Sequence, residues 1–296
     1  MTVPPVRPPG SHGNALVLAG GGVAGIAWEL GVLRGIADAD PALADRILAA
    51  DLVVGTSAGA SVAAQITSGV ALGELYAAQL RPETAEIDVD VDKEKLFADF
   101  AKVVASASDP ADAGRRMGAL ALATPTVDLA VRLVAIDGRL PVKQWPDRRM
   151  LLVAVDVETG DVAVFTRESG VTLIDAVAAS GALPGVWPPV PIGTRRYIDG
   201  GARSMTNADL AAGADPVLIV QPTLAEVPQE WSGLDAEIAA LAPATAYVIS
   251  ADQASVDAFG TNPLSPSTRA PAARAGRAVG ARHAAAVAAL WTSPVP

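Results

Sequence analysis

The residues best suited to nucleophilic chemistry surround Ser57. This serine is the centre of GTSAG, a Gly-x-Ser-x-Gly pattern between an apolar run at 52–54 and an alanine-rich segment. In such a pattern the serine stands at the apex of a tight strand-to-helix turn, and its hydroxyl projects into a cleft. The pattern predicts that Ser57 is a nucleophile, although a serine that only caps a helix after a glycine turn would have the same sequence.

A serine nucleophile needs a base, and the sequence offers two kinds. It contains two histidines, His12 in a proline-rich N-terminal stretch and His283 in an alanine-rich C-terminal segment. Asp199 ends an apolar stretch, and the two glycines after it let the backbone turn closely around the carboxylate. A carboxylate within hydrogen-bond reach can deprotonate a serine directly, so Asp199 is the first candidate. The chain order Ser57, Asp199, His283 also suits a conventional triad.

Three consecutive glycines, Gly20, Gly21 and Gly22, follow the apolar run at 15–18. Apolar residues at helical spacing come next: Ile26, Leu30, Leu33 and Ile36. Glycines can bring backbone N–H groups close to a ligand, and a helix N-terminus favours negative charge, so the run predicts an anion-binding loop. Its Gly-x-Gly-x-x-Gly spacing also fits a dinucleotide-binding unit. That unit needs an acidic residue at the end of its second strand, where this sequence has the serine turn.

Taken in order, these blocks resemble the patatin-like phospholipase family. The glycine run, the serine pentapeptide, the stretch ASGALPGVWPPV at 179–190 and Asp-Gly-Gly span most of residues 15–210. The resemblance implies a catalytic dyad of Ser57 and Asp199, with the run Gly20, Gly21 and Gly22 as the oxyanion hole. Within the run, it favours the amides of Gly21 and Gly22 as donors. It further implies a lipid or ester substrate, an acyl-enzyme, and no cofactor or metal.

One departure from the family pattern weakens the substrate assignment. The family commonly carries a basic residue two places after the glycine run, whereas this sequence continues with Val23 and Ala24. The resemblance therefore supports an esterase more firmly than a phospholipase A. Two alternatives stay open: an ordinary α/β-hydrolase with Ser57, Asp199 and His283 as a triad, and a catalytically silent binding protein with the same fold.

The elements that position these residues alternate between strand and helix. Strands are predicted at 15–18 and 52–54, on both sides of a Thr159-Gly160 turn, and at RYID, PVLIVQP and AYVIS. Helices are predicted over 94–136 with breaks at two X-Pro pairs, from a Thr172 cap to Ser180, and from about Ser267 onward. The alternation predicts an α/β fold, a three-layer sandwich with a mostly parallel central sheet. We expect a flexible lead-in at 1–13 and one domain at 14–296.

Composition excludes several classes of function. A net charge of −10 argues against binding to nucleic acid and against a standing polybasic contact with membranes. The absence of cysteine excludes thiolate nucleophiles and thiolate metal sites. No apolar run reaches the length of a membrane span, and no signal peptide is recognisable, so we expect a cytoplasmic protein. A lipid substrate would still bring transient contact with a membrane surface.

Two smaller groups of residues have less specific patterns. Aspartates alternate at 88, 90 and 92 like the start of a calcium loop, but Lys93 stands where that loop needs glycine. We expect a solvated acidic loop there. Three large apolar residues near the motifs could line an acyl pocket or belong to the core: Trp28, Leu183 and Trp187. The helical segment before residue 136 could form a lid or a fixed wall over the cleft.

Overall fold

The computed structural model describes residues 13–225 and 233–291 of the 296-residue chain. Residues 1–12 of the predicted lead-in at 1–13, including His12, lie outside the described residues. At residue 13 the chain is already part of the fold, because the Gly13 carbonyl accepts a hydrogen bond from the Asp215 N–H at 2.8 Å. None of the helices within the described ranges has the length and apolar character needed to cross a bilayer.

The described strands form one mixed sheet. They are β1 (Ala15–Leu18), β2 (Leu52–Thr56), β3 (Arg149–Asp156), β4 (Val162–Phe165), β5 (Val190–Ile192), β6 (Arg195–Asp199), β7 (Val217–Leu224) and β8 (Ala246–Ala251). The pairs β3–β2, β2–β1, β1–β7 and β7–β8 are parallel, whereas β3–β4, β3–β6 and β5–β6 are antiparallel. The prediction of a mostly parallel sheet is confirmed, and the predicted strands around Thr159-Gly160 are β3 and β4.

Helices connect and cover the strands. The described helices are α1 (Gly22–Ala39), α2 (Pro41–Leu48), α3 (Ala58–Ile66), α4 (Leu72–Leu80), α5 (Lys93–Ser106), α6 (Pro110–Ala123), α7 (Leu129–Arg139), α8 (Leu173–Ser180), α9 (Leu234–Ala240), α10 (Gln253–Phe259) and α11 (Arg269–Leu290). Capping residues set two of the predicted starts. Asp109 accepts from the Asp112 N–H before α6, and Thr172 accepts from the Asp175 N–H before α8.

The sheet is buried on both faces, which makes the fold three-layered. Successive residues of β1 point to opposite faces: Leu16 and Leu18 join a core under α1, α3, α8 and α11, whereas Ala15 and Val17 join a second core. The second core is closed by α9 and a 3-10 turn at Ala208–Ala211. Because β1 is apolar on both sides, it occupies the centre of the sandwich. The predicted three-layer α/β fold is confirmed.

Glycines let α1 and α11 pack with their backbones in contact. A Cβ on Gly35 would stand 2.0 Å from the Arg277 carbonyl oxygen, and one on Gly280 would stand 2.0 Å from the Val32 carbonyl oxygen. Gly31 and Gly276 meet backbone oxygens at similar distances. This contact fixes α1 against the outer layer, and the N-terminus of α1 is the glycine run.

Candidate active site

The pairing of β3 brings the end of β2 against the end of β6. Residues 152–155 of β3 pair with β4 along one edge. Along the other edge, β2 pairs with β3 as far as Thr56 opposite Val153, and β6 pairs with β3 as far as its last residue, Asp199, opposite Ala154. The two strands therefore run toward each other along one edge of β3, and Thr56 and Asp199 occupy adjacent positions. Ser57 directly follows Thr56, so the fold places the predicted nucleophile and base side by side.

Ser57 occupies a sharp turn between β2 and α3. Its backbone has φ 54° and ψ −110°, a conformation that a non-glycine residue rarely adopts and that the surrounding structure must hold. The flanking glycines allow that turn, because a Cβ on Gly59 would stand 2.0 Å from the Leu18 carbonyl oxygen. A Cβ on Gly55 would stand 2.7 Å from the Gly59 carbonyl oxygen. The Ser57 hydroxyl consequently lies at the N-terminus of α3, as the pattern predicts.

Asp199 is buried, with 2% of its surface exposed, at the end of β6. Its Oδ1 accepts a hydrogen bond from the Gly201 N–H at 2.7 Å. Burial raises the pKa of Asp199 to about 6, although the Gly201 N–H, a hydrogen bond with the Ser57 side chain and the charge of Arg132 all lower it. A carboxyl with that pKa is ionised at neutral pH and is still basic enough to accept a proton from an attacking hydroxyl.

The segment that consists of the end of α8 and the residues directly after it contacts both members of this pair. The Ser57 N–H donates to the Ser180 Oγ at 3.0 Å, and the Asp199 N–H donates to the Ala182 carbonyl at 3.0 Å. Two residues on one short segment therefore fix the backbones of Ser57 and Asp199 relative to each other. The resemblance block at 179–190 contains this segment, but sequence analysis did not assign Ser180 a role.

The glycine run lies beside Ser57. A Cβ on Gly20 would stand 3.5 Å from the Ser57 Cβ, and the Gly20 N–H already donates to the Met205 carbonyl at 2.8 Å. Gly21 is the N-cap of α1 and Gly22, with φ 67°, is its first residue. Amides at these positions have no acceptor within their own helix. The Gly20 N–H is thus already bonded within the protein, whereas the N–H groups of Gly21 and Gly22 stand at the start of α1, where a helix has no acceptors for its own amides.

A buried polar network supports the loop that follows Asp199. Asn207 has φ 50° and is fully buried, and its Nδ2 donates to the Thr56 Oγ1 at 3.1 Å. The Glu237 Oε2 accepts from the Thr206 Oγ1 at 2.5 Å and from the Ala208 N–H at 2.8 Å. Burial raises the pKa of Glu237 above its usual value. The network ties this loop to the end of β2, where Ser57 follows.

Arg132 on α7 lies close enough to the pair for its charge to act on Asp199, and no sequence motif marks it. It is 3% exposed, and its Cζ stands 3.8 Å from the centre of the Trp187 ring. Its Nη2 stands 3.9 Å from the position that a Cβ on Gly181 would take. Burial lowers the pKa of Arg132 to about 8, whereas the charges of Glu86 and Asp199 raise it. The only signal in sequence is an arginine at helical spacing among the apolar residues Leu129, Leu133 and Ile136.

An apolar cluster borders the glycine run on its outer side. Its buried members are Val186, Trp187 and Leu264, and half-buried side chains pack against them: Ile87, Val89, Val91, Leu96, Val127 and Leu183. The Leu264 Cδ2 would stand 2.7 Å from a Cβ on Gly22, so the cluster touches the start of α1. Two of the three large residues noted in the sequence, Leu183 and Trp187, therefore lie beside the site.

The other residues noted in the sequence lie elsewhere. Trp28 is fully buried in the main core, and its Nε1 donates to the Ser255 Oγ at 2.9 Å. The His283 Nδ1 is hydrogen-bonded to the Tyr247 hydroxyl at 2.8 Å, so His283 packs against β8 and not against Ser57. Asp92 caps α5 by accepting from the Lys95 N–H. Within the described ranges, no three acidic or histidine side chains are grouped to hold a metal ion.

Comparisons with known proteins identify one matching family and two similar solved structures. The model of the patatin-like phospholipase family matches residues 16–212, well over half of the chain. No curated protein sequence matches the chain. Two crystal structures are similar to this chain at low identity. VipD from Legionella pneumophila has 13% identity and a TM-score of 0.39, and the type III effector protein ExoU has 16% identity and a TM-score of 0.42. The matches cover 85% and 95% of this chain, respectively, and 54% of each of those chains, about half of their length.

The family match includes every element that builds the pair. It starts within β1, contains the glycine run, the serine turn and the Asp199 loop, and ends in the turn that the Glu237 network supports. The resemblance seen in the sequence is confirmed. The chain belongs to the patatin-like phospholipase family.

Proposed function

We propose that the chain is a serine acyl hydrolase that cleaves carboxylic esters of lipids through a Ser57–Asp199 dyad. The observation that carries this proposal is the juxtaposition of a strained serine and a buried carboxyl: Ser57 has φ 54°, and it follows β2 where that strand meets Asp199, whose pKa burial raises to about 6. A strained nucleophile next to a tuned base is the arrangement that acyl transfer requires.

The steps follow from the positions of these groups. The Ser57 Oγ attacks the ester carbonyl carbon while Asp199 takes the hydroxyl proton. The carbonyl oxygen becomes an oxyanion, and the N–H groups of Gly21 and Gly22 at the start of α1 donate to it. Asp199 returns the proton to the departing alcohol, which leaves an acyl group on Ser57. A water molecule then attacks the acyl group while Asp199 takes its proton. Asp199 returns the proton to the Ser57 Oγ, and the fatty acid is released.

The surroundings favour a lipid acyl group. The cluster of Val186, Trp187 and Leu264 reaches Gly22, so an acyl chain bound there would extend from the proposed oxyanion site over apolar side chains. A lipid substrate also implies transient contact with a membrane surface. The proposed chemistry uses only groups of the chain itself and calls for no cofactor or metal.

A serine-directed fluorophosphonate probe tests this function. The wild-type protein should hydrolyse p-nitrophenyl butyrate and carry the probe on the peptide that contains Ser57, whereas Ser57→Ala should do neither. Ser61→Ala is a matched control, because Ser61 lies one turn further along α3 and its buried Oγ has no hydrogen-bond partner among the described residues. A folded wild-type protein without hydrolysis or labelling would instead identify a catalytically silent binding protein.

A further inference from the structure

Asn207 joins the two segments that carry the proposed dyad. Its side chain donates through Nδ2 to the Thr56 Oγ1 at 3.1 Å and to the Ser204 carbonyl at 2.7 Å. Thr56 is the last residue of β2, directly before Ser57. Because Asn207 is fully buried, any contribution that it makes to catalysis must pass through these neighbours and not through contact with a substrate.

Ser204 ends the turn that follows the proposed base. The Gly200 carbonyl accepts from the N–H groups of Arg203 and Ser204, at 3.0 Å and 3.2 Å. The chain thus closes into one tight turn directly after Asp199. The Asn207 Nδ2 also stands 3.4 Å from the Gly200 carbonyl, a longer contact. One amide group therefore meets both ends of this turn as well as the end of β2.

The neighbours of Asn207 determine which end of its amide faces Thr56. Its Oδ1 accepts from the Arg203 Nη1 at 2.7 Å. The Arg203 guanidinium is itself held by two hydrogen bonds to Asp209, at 3.0 Å and 2.6 Å. Exchanging the two ends of the amide would set its NH₂ group against a guanidinium and its oxygen against carbonyl oxygens. The hydrogen-bond network therefore assigns the orientation in which Nδ2 faces Thr56.

The loop that Asn207 fastens also contacts the glycine run. The Met205 carbonyl accepts from the Gly20 N–H at 2.8 Å. The Met205 Sδ would stand 3.3 Å from a Cβ on Gly201 and 3.5 Å from one on Gly20, so the Met205 side chain lies between the turn and the glycine run. A loosened loop would consequently disturb the glycine run together with the two proposed catalytic residues.

We propose that Asn207 is a positioning residue, whose amide fixes Ser57 relative to Asp199 by tying together the backbones that carry them. The inference rests on the proposed function, since it assigns Asn207 a part in that reaction. The proposed nucleophile and base stand on different strands, and a displacement of about 1 Å between reacting groups can cost about 10²-fold in rate. The substrate would bind as before, because Asn207 does not reach it.

Hydrolysis of p-nitrophenyl butyrate by Asn207→Gly tests this inference. Asn207 has φ 50°, which glycine adopts without strain, so the variant removes the amide and keeps the backbone conformation. At a temperature where circular dichroism shows the variant to be folded, kcat should fall about 10²-fold and KM should stay within about 3-fold of the wild type. A purely structural role would lower the apparent kcat only by the fraction of unfolded protein.

Thr56 provides a second pair of variants, which decides the question if Asn207→Gly does not fold. Thr56→Val keeps the branched shape but lacks the Oγ1 that accepts from Asn207. It should lower kcat by at least about 10-fold, whereas Thr56→Ser keeps the hydroxyl and should lose much less. Thr56→Val should add little to the loss in Asn207→Gly, because both changes break the same link.

The matched control is Gln79→Met. Gln79 on α4 is also buried, and its Oε1 accepts from the Arg269 Nε at 3.2 Å. The change removes a buried amide that lies outside the strands and loops of the proposed dyad. It should lower the melting temperature, because it leaves a buried donor without its acceptor, and it should leave kcat and KM unchanged.

Four results would overturn the inference. Wild-type kcat in folded Asn207→Gly, or equal losses in Thr56→Val and Thr56→Ser, would show that the link does not align the dyad, and the proposed hydrolase would stand without it. A raised KM with unchanged kcat would assign Asn207 to substrate binding instead. A wild-type protein that hydrolyses no ester would remove the proposed function and this inference together.

Discussion

At the scale of single residues, the charged form of Asp199 lowers the stability of the fold but is the form that the proposed mechanism needs. Its burial disfavours the charged form, yet the proposed mechanism needs that form as the base. The folded-state pKa of about 6 lies above the ordinary value of 3.8, so the folded protein binds this proton more tightly than the unfolded chain. The carboxyl therefore contributes most to stability at low pH, and the contribution is lost as pH rises through about 6.

This pH dependence leads to two predictions, one for the stability of Asp199→Asn and one for the activity of the wild type. Above pH 7 the variant should be more stable than the wild type by roughly 3 kcal/mol, and the difference should become small near pH 4, where the folded-state carboxyl is neutral. Urea unfolding at pH 4 and pH 8 measures this. For the wild type, kcat/KM should fall as pH drops below about 6, because the protonated carboxyl cannot accept the serine proton. Equal stabilities at pH 8 would contradict the account.

The glycine run allows catalysis and stability to be separated. A methyl group on Gly20 would meet the Met205 Cε at 2.8 Å, the flexible end of a side chain, and would stand 3.5 Å from the Ser57 Cβ. Gly20→Ala should fold and lower kcat by about 10-fold or more, since it crowds the nucleophile. On Gly21 the methyl group would meet the Pro222 Cγ at 2.2 Å and the Gly25 Cα at 2.9 Å.

Gly21→Ala should consequently lower the melting temperature as well as the activity. Ester kinetics and thermal unfolding of both variants test the difference. Full activity in Gly20→Ala would show that the run does not border the reacting ester.

Residues that stand in local motifs could be proposed from the sequence, whereas those that the fold brings beside them could not. Ser57 and Asp199 each sit in a short pattern with a defined turn. Three residues near the site come from helices that are distant in the chain, and no local sequence pattern identifies them: Arg132, Ser180 and Glu237. Arg132 stands on the apolar face of a predicted helix, and an arginine on such a face is the only feature of the sequence that indicates a buried cation.

At the scale of elements, the predictions depended on how strong the boundary signals were. Prolines and caps marked the starts of α6 and α8, and the Thr159-Gly160 turn marked the β3–β4 hairpin. The meeting of β2 and β6 on β3 could not be read from the sequence, because it depends on the register of β3 with one strand about 100 residues earlier and another about 45 residues later. The helical segment before residue 136, which could be a lid or a wall, consists of α5, α6 and α7, and α7 carries Arg132.

The contact between α1 and α11 gives the prediction at this scale. Gly35→Ala and Gly280→Ala should each destabilise the protein by roughly 1–3 kcal/mol, because each methyl group meets a backbone oxygen that cannot rotate away. Gly73→Ala on α4 is the control, since its methyl group meets only the Arg34 Nη1 at 3.1 Å. That change should be neutral or stabilising by up to about 1 kcal/mol. Chemical denaturation measures all three, and equal effects would rule out a close helix contact.

At the scale of the whole molecule, the site depends on residues beyond the family match. That match ends at residue 212, but β7 pairs with β1, and Pro222 packs against Gly21. Glu237 supports the loop after Asp199, and α11 holds α1. A fragment that ends at residue 213 should therefore lack cooperative unfolding and ester hydrolysis. Circular dichroism and p-nitrophenyl butyrate assays test this, and an active, folded fragment would make the later elements dispensable.

The most direct test of the central claim is a double-mutant cycle on ester hydrolysis with Ser57→Ala, Asp199→Asn and the double variant. If the two residues act as one dyad, each single variant should lower kcat by about 10³-fold or more, and the double variant should be little worse than either. All three should unfold cooperatively, which separates lost chemistry from lost structure. Losses that multiply in the double variant, or substantial activity in either folded single variant, would contradict a Ser57–Asp199 dyad.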